Sequence, residues 1–199
     1  MSARSLALRA LTFLVTALPW IQAHAASHSI IVTHASGEAA YPAAVSVYVD
    51  GASTRASRSA QAQMVQRNKS FVPTVLVVQT GTPVSFPNFD TVRHHVYSFS
   101  STKSFELKLY AGTPATPVIF DRPGTATLGC NIHDRMLGYI HVVDTPYFGQ
   151  TDAHGRIDIE LPPGRHVLRV WTPEMGEKRP GQNFSIDTSE ALTRVTIKP

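Results

Sequence analysis

The chain has 199 residues, 43% of them hydrophobic, and a formal charge of only +4, with its basic residues scattered singly rather than clustered. That distribution excludes a surface built to track a phosphate backbone, so nucleic acid is not an expected partner. There is one cysteine, Cys130, which excludes any intrachain disulfide framework.

The first stretch reads as an export signal. Arg4 and Arg9 form a basic start, residues 10–21 are uncharged and largely apolar, and Ala23-His24-Ala25 supplies the small-x-small pattern of a cleavage site. The apolar run is too short for a stable membrane span. The expectation is a signal peptide over residues 1–25, release into the periplasm, and a mature chain of 174 residues carrying +2. That length suffices for one full domain or two small ones, each with a core.

From there on the chain reads as short strands broken by Gly and Pro. Residues 29–32, 44–49, 75–79, 83–86, 94–99, 105–110, 117–120, 125–130 and 138–143 are rich in Val, Ile, Phe and Tyr, and 156–161, 165–171 and 194–198 continue the pattern. This predicts an all-β protein of antiparallel sheets packed as sandwiches. Residues 51–68 lack alternation; within them 56–68 is expected to be a linker or a short helix, with 60–67 as the helical candidate. A second break falls at Asp144-Thr145-Pro146.

The strongest chemical signal is Cys130-Asn131-Ile132-His133-Asp134-Arg135-Met136. A thiolate, an imidazole and a thioether within seven residues at a strand end suit a soft metal. Gly129 and Gly138 bracket a tight loop. A lone exported thiol is open to oxidation unless something occupies its sulfur. A second imidazole, from His94 or His95, would complete a trigonal His₂Cys site with a weak axial Met, the arrangement used by copper for electron transfer.

Here the chain resembles the cupredoxin family, in its plastocyanin and amicyanin branch, and more loosely exported proteins labelled methylamine utilization proteins. The resemblance runs from about residue 71 to 143. It rests on Val84-Ser85-Phe86-Pro87-Asn88, on Arg93-His94-His95-Val96, on Phe120-Asp121-Arg122-Pro123-Gly124, and on a ligand-loop spacing similar to that of amicyanin. It implies a Greek-key sandwich over 69–145, one copper ion cycling between Cu(I) and Cu(II), and the metal ligands His94, Cys130, His133 and Met136. It also implies electron exchange with redox partner proteins through His133. The family's usual His-Asn-Val aligns with His94-His95-Val96, so His95 stands where an Asn ties the two ligand segments together. A His is able to do the same. That departure leaves His95 as the alternative ligand, and strand alternation allows only one of the pair to reach the metal.

A further segment, Thr151-Asp152-Ala153-His154-Gly155 through Leu161-Pro162-Pro163-Gly164 to Val170, resembles the later half of transthyretin-like or carboxypeptidase-regulatory-like sandwiches. Residues 30–37 and 41–48 look like the missing earlier pair. A half-sandwich cannot bury its core alone. The expectation is therefore one split sandwich, residues 28–55 with 146–199, around the inserted cupredoxin, in a scaffold or docking role. With four metal positions filled, catalysis at the metal lacks an open site, so an electron carrier is expected rather than an enzyme. A copper chaperone or storage protein on the same fold is the alternative.

Overall fold

The computed structural model describes residues 25–57 and 60–198, so the expected signal peptide lies outside the described residues apart from Ala25. The chain opens with β1 (Ala26–His34) and β2 (Ala44–Tyr48). Short strands β3 (Ala62–Gln63), β4 (Val65–Arg67) and β5 (Ser70–Val72) follow, then β6 (Val75–Gln79), β7 (Thr82–Ser85), β8 (His94–Phe99) and β9 (Ser104–Tyr110). Next come β10 (Val118–Phe120), β11 (Gly124–Gly129) and β12 (Leu137–Val143). The last stretch holds β13 (Tyr147–Gln150), β14 (Arg156–Leu161), β15 (Arg165–Trp171), a 3₁₀ turn at Pro173–Met175, β16 (Gln182–Asp187) and β17 (Leu192–Ile197). Among the described residues no helix is long and apolar enough to cross a membrane.

The all-β class expected from the strand pattern is present. The middle of the chain forms a five-stranded sheet, β6-β12-β11-β8-β9, and a three-stranded sheet, β10-β7-β3. The two ends of the chain pair with each other. β1 lies between β14, antiparallel, and β17, parallel, while β2 lies between β13 and β15, with β16 on the outer side of β15.

Two buried clusters follow this division. One gathers Ile30, Val32, Val45, Val47, Leu168, Val170, Trp171 and Ile197; the other gathers Met64, Phe71, Val84, Phe86, Val96, Phe120, Leu128 and Ile140. They meet at β6 and β12, whose alternating side chains serve both. On β12, Ile140 and Val142 enter the second cluster, whereas Tyr139 packs against the first and His141 stacks on Trp171 at 4.9 Å. Burial on both faces explains why β6 and β12, which pair in parallel, read as nearly continuous apolar runs.

The short helix expected at 60–67 is not formed. Ala62–Gln63 pairs with β7, and Val65–Arg67 pairs with β5. The strand signal is hidden because one inward residue is polar: Gln66 is fully buried beside Met64, and its amide donates to the Phe86 carbonyl at 3.1 Å.

The position of His141 has a consequence for stability. Burial, reinforced by the nearby Arg169 guanidinium, pushes its imidazole down from 6.5 to about 4. The unfolded chain therefore binds an extra proton between those values, and stability is complete above pH 6.5 and falls as the pH drops toward 4. At about 1.4 kcal/mol per pH unit, the loss amounts to about 3 kcal/mol. Urea unfolding across this range should show the decline, and His141→Phe should flatten it. An unchanged slope in that variant would sink the assignment.

Candidate metal centre

The loop between β11 and β12 carries Cys130, His133 and Met136. A turn closed by the Met136 N–H donating to the His133 carbonyl at 2.9 Å shapes it. Tyr97 of β8 lies opposite Gly129, and a Cβ there would stand 2.6 Å from the Tyr97 ring, so any other residue directly before the cysteine would have to displace that ring. Cys130 and Met136 are both buried and belong to the second cluster, while His133 is half-buried and flanked by exposed Asn131, Ile132, Asp134 and Arg135.

The structure brings His94, Cys130 and His133 together, their ligand atoms all within 4.8 Å of one another. The Cys130 Sγ is 3.8 Å from Nδ1 of His94 and 3.8 Å from Nδ1 of His133. These separations can be tested against a shared ion. For an ion about 2.0 Å from nitrogen and about 2.3 Å from sulfur, an angle near 120° places N and S about 3.8 Å apart. The donor set thus fits a trigonal His₂Cys site, whose chemistry is that of a soft, redox-active ion.

His94 is held from behind. Its Nε2 lies 2.8 Å from Oδ2 of Asp90, and since a carboxylate can only accept, Nε2 carries the proton and Nδ1 presents its lone pair toward the sulfur. Asp90 is itself anchored, accepting the backbone N–H groups of Asn68 at 2.6 Å and Lys69 at 2.9 Å. Both donors sit at positive φ, 52° and 56°, which turns their N–H groups inward together. Burial pushes the Asp90 carboxyl up, but the donors from Lys69, His94 and Asn68 outweigh it and hold the group below its ordinary value. The Asn88 side chain fixes the rest of this loop by donating to the carbonyls of Val92 and Tyr110 and accepting from the Asp90 N–H.

His95 faces the other way. Its Nε2 meets Glu106 Oε1 at 2.8 Å, and its buried Nδ1 has no hydrogen-bond partner among the described residues. The tie between the two ligand segments that a His at 95 is able to make is not seen among the described residues, because the ring is drawn to β9 instead. A register shift against β9 at this point leaves Lys108 and Leu109, both exposed, opposite His95. His95, Tyr97 and Phe99 form an aromatic row on that outer face, with ring centroids 5.7 and 5.0 Å apart.

Tyr110 completes the surroundings. Its hydroxyl donates to the Phe86 carbonyl at 2.7 Å and meets the Gln66 amide, and burial, with a contribution from Cys130, pushes it up to about 12. It stays neutral beside the sulfur. Sequence reasoning did not single out Asp90, Glu106, Tyr110 or Gln66. Asp90 lies four residues before His94, but in a loop that spacing has no periodic meaning.

Asp90→Asn should leave the fold intact and weaken metal affinity by about 10 to 100-fold, the usual effect of losing the partner behind a ligand imidazole. Competition titration of the two proteins with copper checks this. Equal affinities would show that Asp90 does not support His94.

Comparison with known proteins places these features beside several solved structures. No family model matches the sequence, and no curated protein matches it. A copper-containing nitrite reductase from Thermus scotoductus SA-01 is 25% identical over 49% of this chain and 25% of its own, with a TM-score of 0.40. The chain therefore spans about a quarter of that enzyme's length. A purple cupredoxin from Nitrosopumilus maritimus is 22% identical over 42% of this chain and 98% of its own, with a TM-score of 0.36. A reduced Cu(I) form of an amicyanin variant is 16% identical over 49% of this chain and 97% of its own, with a TM-score of 0.37.

Proposed function

We propose that this chain is an exported, periplasmic blue-copper protein that passes single electrons between redox partner proteins. The observation that carries the reading is the convergence of His94 Nδ1 and His133 Nδ1 on Cys130 Sγ, each 3.8 Å from it, with the carboxylate of Asp90 behind His94. When bound, one copper ion would supply a one-electron couple between Cu(I) and Cu(II). The protein supplies the rest.

His94, Cys130 and His133 would hold the ion, with Met136 as a weaker fourth ligand. The half-buried Asp90 and the buried Asn88 and Gln66 fix the upstream loop, and the Tyr97–Gly129 contact packs the strand entering Cys130. His94 is fully buried and His133 only half, so the His133 edge is the route outward, and the charges of Asp134 and Arg135 beside it make docking sensitive to salt. In this reading residues 69–145 are the copper-binding unit. Residues 28–55 and 146–199 form a split transthyretin-like or carboxypeptidase-regulatory-like sandwich that serves as scaffold.

The test is addition of Cu(II) to the purified chain, followed by visible and electron spin resonance spectra. An intense thiolate-to-copper band with stoichiometric binding is expected. Binding of Cu(I) alone would favour a chaperone, and no binding would end the copper reading.

Met136→Leu should keep copper and colour while raising the reduction potential, since the axial bond tunes the couple more than it holds the ion. Voltammetry beside metal analysis checks this. Complete loss of copper would make Met136 a primary ligand instead.

A further inference from the structure

Away from the Cys130 loop, at the opposite end of β11, a cleft of about 350 Å³ opens where the two buried clusters meet. Thr125 lines it, five residues or about 17 Å along the strand from Cys130. Its size is that of a small-molecule site. About half of the wall is apolar, with Pro123, Val142 and Pro180, and the polar half is supplied by Tyr48, Thr125, His141, Arg169, Lys178 and Arg179 among others.

Three cations therefore face one space, and none of them is ion-paired to a carboxylate among the described residues. Arg169 is held in place by neutral groups, donating to Asn183 Oδ1 at 2.9 Å and to the Tyr48 hydroxyl at 3.1 Å, with its guanidinium 4.6 Å from the Tyr48 ring centroid. Arg179 donates to the Met175 carbonyl. The one acid on the wall, Glu177, is turned toward the hydroxyls of Ser100 and Thr127. His141, 5% exposed, has Nδ1 2.9 Å from the Thr125 hydroxyl, and Nε2 has no hydrogen-bond partner among the described residues. When Thr125 donates to Nδ1, the Nε2–H is a free donor on a neutral ring. A preset guanidinium, two further cations and a nearly buried imidazole N–H give the cleft an excess of positive charge, the Asp144 carboxylate near the Tyr48 hydroxyl and Glu177 being the acids around it.

We propose that this cleft binds a small oxyanion carrying two or more negative charges, of the phosphate or polycarboxylate class, with Arg169 and His141 as the inner contacts and Lys178 and Arg179 as the outer ones. The site is independent of the copper centre, so the metal reading stands or falls separately.

The test uses the full mature chain without metal. Inorganic phosphate and citrate are titrated separately by calorimetry at constant ionic strength, with chloride as control, while NMR follows the His141 ring. The expected result is saturable one-to-one binding of at least one of the two probes and an upward shift of the His141 titration. Saturation by phosphate alone assigns a phosphoryl ligand, and saturation by citrate alone a polycarboxylate. Arg169→Gln should weaken binding at least tenfold. The exposed pair Lys178→Gln and Arg179→Gln, which leaves the core untouched, should weaken it several-fold with the unfolding midpoint retained. Heats matched by chloride, or binding that survives both variants, would overturn the proposal.

Discussion

Cys130→Ser is expected to abolish the visible band of the copper-loaded protein altogether. The colour of a His₂Cys copper site belongs to the metal–thiolate bond, and a hydroxyl oxygen does not form one. The substitution is nearly isosteric at a position 4% exposed. The β-sheet circular dichroism should therefore survive while the band disappears. A Cys130→Ser protein that remained blue would place the copper elsewhere.

The adjacent histidines should separate just as sharply. His94→Ala removes an imidazole whose Nδ1 stands 3.8 Å from the sulfur and leaves a cavity at a fully buried position. The trigonal site and its spectrum should be lost. His95→Ala removes a ring that faces Glu106, so copper and colour should be kept. The buried Nδ1 of His95 has no hydrogen-bond partner among the described residues, and its desolvation already costs about 1–3 kcal/mol, so stability should change less than its burial suggests. Both variants are to be compared for copper affinity and visible spectrum under identical conditions. A blue His94→Ala protein beside a colourless His95→Ala protein would transfer the ligand role to His95.

Much of the architecture was legible because it is written in local pattern. The alternation in 94–99, 156–161 and 165–171 marks half-buried strands, and each of these is present as β8, β14 and β15. β13 and β16 escape the pattern: Tyr147–Gln150 is uniformly half-buried, and Gln182–Asp187, although it alternates in burial, opens on the polar Gln182 and carries only two apolar inward residues, Phe184 and Ile186. β3 and β4 were missed for a different reason, the inward Gln66, whose hydrogen bond to a distant carbonyl is invisible until that carbonyl is placed.

The same contrast holds at the metal centre. Cys130, His133 and Met136 could be read together because seven residues of one loop keep them close in any fold. The sequence by itself determined the donor types on that loop, the need for a second imidazole, and the strand that would bring it. It left His94 and His95 open, since both are the same chemical group one residue apart. Only the tertiary structure set their directions, because each ring is aimed by a carboxylate from another segment, Asp90 for His94 and Glu106 for His95. The turn of Asn68 and Lys69 that anchors Asp90, and the double burial of β12 that makes His141 a neutral donor beside Arg169, likewise depend on contacts between segments far apart in the chain. A pairwise contact across such distances has no signature in the local order of residues, which records only what neighbours along the chain must do.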